Sequence, residues 1–241
     1  MVESDRDSSK SFARARERIA LALDVDTLGE AISLARRIHP YIATVKVGLE
    51  LYLAEGPKSV EALRDEGFDV FLDLKLHDIP TTVERSARVI GALGARYLTV
   101  HTLGGVAMVR AAVNGARLGA KGAGHTPPMV AGVTVLTSDL SVAPETLAVR
   151  VAIAVEGGCE AIVCAAPDLA IVRPVATGMC FIVPGIRPEG SSPDDQVRTM
   201  TPAMAKAAGA DLLVVGRPIT RASDPEGAAL AVVRSLMHSE L

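Results

Sequence analysis

Eight short apolar runs, spaced along the chain with amphipathic segments between them, leave few folds open. They are IALALD (19–24), TVKVG (44–48), VFLDL (70–74), YLTVH (97–101), MVAGVTVL (129–136), AIVC (161–164), CFIVPG (180–185) and LLVVG (212–216). Near-continuous apolar character over so few residues marks strands covered on both faces, as in a parallel sheet. TLGEAISLARRI (27–38), TVERSARVIGALG (82–94), VRAAVNGARLG (109–119), ETLAVRVAIAVEGG (145–158) and PEGAALAVVRSLMH (225–238) carry helical periodicity. Thr27 with Glu30 reads as a capping box, and Gly94 suits a helix C-terminus. Eight strand–helix units in 241 residues predict one α/β domain, a single (β/α)8 (TIM) barrel over 18–241. A doubly wound open sheet is the alternative. The barrel is preferred because Asp24, Lys46, Asp73, His101, Thr137 and Arg217 fall at C-terminal strand ends, where barrel enzymes place their chemistry.

Composition excludes several classes. The chain is 49% hydrophobic but only 3% aromatic and lacks Trp, so small aliphatic side chains must do the packing. A net charge of −3 provides no general field for nucleic acid. Cys159, Cys164 and Cys180 have no metal-ligand spacing and read as small buried hydrophobes in a reducing compartment. No apolar run approaches the ~20 residues of a membrane span. The polar start MVESDRDSSKSFARARER has no signal-peptide core and reads as a flexible arm over 1–17, so a cytoplasmic protein is expected. KGAGHTPP (121–128) reads as a surface loop, and PGIRPEGSSPDDQVRTMTP (184–202), with four prolines, as a loop able to close over a ligand.

The chemistry concentrates in VFLDLKLHDIPTT (70–82). Strand alternation puts Asp73 and Lys75 on one side and Leu72 and Leu74 on the other. Burying charge costs several kcal/mol per ion unless it is paired, so two charges inside a strand end mark a site, or else an ion pair that merely closes the barrel. Lys46 is placed to balance Asp73, and Lys75 to lie between Asp73 and Asp78. Flanking carboxylates favour the charged lysine, which could stabilise a developing carbanion and then protonate it. A fixed carboxylate beside it disfavours an anionic group that the reaction discards. After the eighth strand, Gly216 and Arg217 in VVGRPIT fit the phosphate position of such barrels. No zinc spacing, dinucleotide fingerprint or Walker loop occurs, and His39, His77 and His101 read as packing or orienting residues.

LALDVD, the lysine of VKVG, FLDLKLHDIPTTV, VTVLTS, PGIRPEG with DQ following, and VVGRPIT stand in an order that resembles the orotidine 5′-phosphate decarboxylase family. The resemblance runs from about Leu21 to Asp224, with Leu76 where the family often has an aromatic residue and Thr81 where Asn is common. It implies the last step of de novo UMP synthesis, decarboxylation of orotidine 5′-monophosphate without cofactor or metal. Lys75 would protonate the pyrimidine, Asp73 would lie near the departing carboxylate, and Lys46 and Asp78 would complete the network. Asp24, Lys46 and Thr82 would contact ribose, Thr137 the pyrimidine, and Gln196, Gly216 and Arg217 the phosphate, with Arg187 and Gln196 in the closing loop. Asp78 and Thr82 would enter from a partner subunit, so a homodimer is expected. Two alternatives stay open: a metal-dependent phosphosugar decarboxylase or synthase of the same barrel type, which needs a further acidic ligand such as Glu50, and a non-catalytic phosphoribosyl-binding barrel.

Overall fold

A computed structural model describes residues 2–136, 142–188 and 199–237. In chain order the elements begin with α1 (Val2–Glu17), β1 (Ile19–Ala22), α2 (Leu28–Ile38), β2 (Thr44–Val47), α3 (Leu49–Glu55) and α4 (Lys58–Asp65). They continue with β3 (Asp69–Leu76), α5 (Pro80–Gly91), β4 (Tyr97–His101), α6 (Gly105–Ala123), β5 (Met129–Val133) and α7 (Pro144–Gly157). The last are β6 (Ala161–Val163), α8 (Leu169–Val175), β7 (Cys180–Val183), α9 (Pro202–Ala207), β8 (Leu212–Val215), α10 (Arg217–Thr220) and α11 (Pro225–Met237). Every strand pairs in parallel with the next, and β1 pairs with β8, which closes the (β/α)8 barrel and excludes the open sheet.

Inward and outward positions alternate along each strand and separate into two cores. Ala20, Ala22, Phe71, Ala131, Ala161, Ile182, Leu212 and Val214 fill the barrel interior. Their outward neighbours, among them Ile19, Leu21, Val70, Leu72, Leu98, Leu213 and Val215, join the helices in a larger cluster. Phe71 meets Tyr97 edge-on inside the barrel, with centroids 5.6 Å apart. Aromatic bulk therefore plugs the middle, and the next inward positions on β3, Asp73 and Lys75, emerge above the plug.

Several local expectations shift. Strands β1, β2, β7 and β8 stop before Asp24, Gly48, Pro184 and Gly216, whose backbones leave the ladder. Residues 2–17 form α1 rather than an arm without regular structure: Phe12 and Ala15, three apart on one helix face, pack against the core. Arg16 Nε also donates to the His39 carbonyl at 3.2 Å. The expected loop 121–128 begins only at Gly124, because α6 continues through Ala123 and ends on Gly124 at φ +74°. Burial pushes the Cys159 thiol up to about 12, with help from Glu160, and the Cys180 thiol to about 11, with help from Asp211. Neither is therefore a ready thiolate at neutral pH.

Helices α5 and α6 approach so closely that side chains do not fit at the contact. A Cβ at Gly115 would run into the Glu84 carbonyl oxygen, and one at Gly119 into that of Arg88, whereas one at Gly122 meets nothing within 4 Å. Gly119→Ala is expected to cost about 1–3 kcal/mol through overpacking, read as a lower urea midpoint. Gly122→Ala on the same helix should be neutral or stabilise by up to about 1 kcal/mol.

Candidate active site

Four charged side chains alternate in sign at the C-terminal mouth. Lys75 Nζ donates to both Asp73 oxygens at 2.9 Å. Lys46 Nζ reaches Asp73 Oδ2 at 3.6 Å and donates to Asp24 Oδ1 at 3.3 Å. Each side chain stands on its own inward register: Asp24 just beyond β1, Lys46 on β2, and Asp73 and Lys75 on β3. Asp73 and Lys46 are only 13% and 12% exposed, Lys75 is 35% and Asp24 59%, so the network runs from nearly dry to wet. Burial alone would raise the Asp73 pKa, but the charges of Lys46 and Lys75, with hydrogen bonds from Lys75 and Thr99, outweigh it and hold the group below the ordinary aspartate value.

Strand β3 is irregular where it carries these groups. Pairing with β4 runs Phe71 to Tyr97 and Leu72 to Leu98, then resumes at Leu76 to Val100. β3 thus advances four residues while β4 advances two, a bulge of two extra residues. Within it Lys75 has φ +49°, the only positive value at a described non-glycine residue. Such backbone is sparsely populated for L-residues and persists only where its surroundings impose it.

A cavity of about 230 Å³ opens over the network. Asp24, Lys46, Asp73, Lys75, Arg187, Gly216 and Arg217 all line it, so the structure brings together seven of the sequence-predicted positions. Val133, Val135 and Val163, with Cys164, form an apolar wall that sequence reading did not assign to the site. Among the described residues, four cationic lining residues face two carboxylates, a balance that suits an anionic ligand. A Cβ at Gly216 would meet Ala22 Cβ at 3.5 Å, an ordinary contact, so protein packing does not demand glycine there.

The family-model comparison decides what kind of barrel this is. Residues 17–232 match the model described as "Orotidine 5′-phosphate decarboxylase / HUMPS family". This chain belongs to the orotidine 5′-phosphate decarboxylase / HUMPS family. A curated relative from Anaeromyxobacter sp. (strain K), named orotidine 5′-phosphate decarboxylase, is 48% identical, with 91% of this chain and 98% of that protein covered. One of the same name from Thermobifida fusca is 46% identical over 90% of this chain and 95% of its own. Among solved structures, the orotidine 5′-phosphate decarboxylase from Lactobacillus acidophilus superposes with a TM-score of 0.77 at 33% identity, covering 91% of this chain and 99% of that one.

The remaining family-motif positions lie elsewhere. Asp78 and Thr82 are exposed and do not line the cavity. The Asp78 carboxylate instead accepts from the Ile79 N–H at 2.7 Å. Thr137 and Gln196 fall outside the described residues. His101 accepts from the Leu103 N–H through Nδ1 at 3.2 Å and stacks on His77, ring centroids 5.7 Å apart. Thr99, bonded to Asp73 at 3.0 Å, is the polar residue that the sequence reading passed over. Its signal was a hydroxyl in the middle of the apolar strand YLTVH.

The lowered Asp73 pKa has a consequence for stability. A group whose pKa falls on folding stabilises above its unfolded value, ~3.9, and loses that contribution as pH drops through the folded value. Asp73→Asn, which carries no titrating group there, should be less stable than wild type at pH 6. The difference in denaturation midpoint should shrink as pH is lowered below ~4, since wild-type Asp73 then becomes neutral as well. A gap independent of pH would contradict the ionic account of the cluster.

Proposed function

We propose that this chain decarboxylates orotidine 5′-monophosphate to uridine 5′-monophosphate and CO2, the last step of de novo UMP synthesis, using its own side chains and no cofactor or metal. The observation that carries this reading is the Lys75 ammonium fixed 2.9 Å from both oxygens of a largely buried, ionised Asp73 in the lining of an anion-suited cavity. The phosphate is held at the β8 end by Gly216 and Arg217, with Gln196. Asp24 and Lys46 bind ribose, joined by Thr82, and Thr137 addresses the pyrimidine. Arg187, with Gln196, belongs to the loop that closes over the substrate.

The substrate carboxylate is placed against Asp73, whose low pKa keeps it charged. As the C6–carboxylate bond breaks, CO2 leaves and the electron pair stays on C6. The Lys75 ammonium stabilises that carbanion and delivers its proton, giving the C6–H of product. Phosphate contacts made far from C6 contribute binding energy that orients the ring over Lys75. The alternative of a metal-dependent phosphosugar enzyme finds little support in Glu50, which is exposed on α3 and does not line the cavity.

The active unit is a cytoplasmic homodimer, each chain contributing one barrel domain over 18–241. What supports the dimer is the exposure of Asp78 and Thr82, with the neighbouring Ile79 67% exposed. A second copy would bring Asp78 and Thr82 to its neighbour's Lys75.

Absorbance assays with orotidine 5′-monophosphate should show turnover that survives exhaustive EDTA treatment. Lys75→Ala should lose at least ~10²–10⁴-fold in kcat while binding product nearly as well, because the phosphate contacts remain. The shared site has its own test. Lys75→Ala and Asp78→Ala homodimers should each be nearly inactive. Random exchange of equal amounts makes about half the dimers mixed, each with one intact site, so activity should return to about a quarter of wild type. No recovery after verified exchange excludes the trans arrangement and leaves the decarboxylase reading standing.

A further inference from the structure

Thr99 sits at an inward position of β4, fully buried at 0% exposure, directly beside the bulge of β3. Its hydroxyl accepts from the Lys75 backbone N–H at 2.8 Å and donates to Asp73 Oδ1 at 3.0 Å. A hydroxyl has one proton to give, so these two bonds fix its orientation: lone pair toward Lys75, hydrogen toward the carboxylate. The β3–β4 ladder is interrupted over this span, and the Thr99 oxygen takes the place of a strand carbonyl as acceptor for Lys75.

We infer that Thr99 is a positioning residue of the reaction, its hydroxyl clamping the Lys75 backbone and the Asp73 carboxylate into one rigid unit. The inference rests on the decarboxylase reading above. Without the hydroxyl, the Lys75 N–H loses its acceptor at the residue with φ +49°, and Asp73 loses one of the bonds that aim it at Lys75. Both partners of the 2.9 Å ion pair would then shift together. The outward neighbours Leu98 and Val100 carry the packing of β4 against the helices, which separates this role from core filling. Substrate phosphate and ribose are held by other residues, so the loss should appear in kcat rather than in KM.

The test compares Thr99→Ser, Thr99→Ala and Thr99→Val. The first two leave the same missing methyl and differ only in the hydroxyl, and both remain informative if the Val variant fails to fold. Thr99→Ser should keep kcat within about threefold of wild type, whereas Ala and Val should lose about ten- to hundredfold, with KM for orotidine 5′-monophosphate within about threefold in all. Amide hydrogen exchange by NMR provides a readout independent of turnover. The Lys75 amide should exchange at least about tenfold faster in Thr99→Ala and stay protected in Thr99→Ser, while the Leu72 amide is unchanged in both. Equal kcat in the Ser and Ala variants, or an unchanged Lys75 exchange rate in Thr99→Ala, overturns the inference. An inactive wild-type chain would refute the decarboxylase reading instead, and the exchange measurement would still decide whether the clamp exists.

Discussion

Keeping the Asp73 carboxylate ionised in a nearly dry barrel mouth requires cations on two sides and hydrogen bonds to its lone pairs. Taking one carboxylate out of water costs several kcal/mol, and a single lysine seldom returns that amount. Here Lys46 reaches it from β2, Lys75 from its own strand, and Thr99 from β4. Three adjacent strands must therefore hold their registers for one charge to be tolerated. An apolar cluster of equal volume would be cheaper to fold around, which points to the network being retained for chemistry rather than for stability.

The rest of the barrel accommodates that demand. Alanines at the inward positions of β1, β5 and β6 leave room for Phe71 and Tyr97 to plug the interior, so the charges stand on an apolar floor. Gly48 keeps the space beside Lys46 open: a Cβ there would sit 3.2 Å from the ammonium nitrogen and 3.4 Å from Asp24. The bulge in β3 breaks the ladder where Lys75 must be aimed, and Thr99 restores the lost acceptor. Irregular backbone thus coincides with the charged network, while the pairings elsewhere around the barrel stay in simple parallel register.

In the proposed reaction, anion binding and bond breaking fall to different parts of the cavity lining. Arg187, Gly216 and Arg217 come from the ends of β7 and β8, and the lysine–aspartate network from β1 to β3. Because the chain closes on itself, β8 lies next to β1, and the two groups border one cavity. On the proposed roles, phosphate affinity gained at Arg187, Gly216 and Arg217 would be available to orient the ring over Lys75.

Much of this was legible in the residues alone. The eight strands follow from local apolar runs, and the inward direction of Asp73 and Lys75 follows from the two-residue period of a strand. Both properties are written in neighbouring positions. The C-terminal location of Asp24, Lys46, Gly216 and Arg217 follows once the strands are placed. Helix α1 escaped notice because, among its described side chains, just Phe12 and Ala15 join the core, too sparse a signal to stand out until α11 and the barrel supply something to pack against. Thr99 escaped for a different reason: its partners are 24 and 26 residues away, and nothing in YLTVH says which groups of β3 it will face. Nor does DLKLHD announce a bulge that turns Lys75 to positive φ and leaves Asp78 facing outward. Those outcomes depend on how far β3 advances against β4. That register is decided by barrel closure and long-range pairing, which no local pattern encodes.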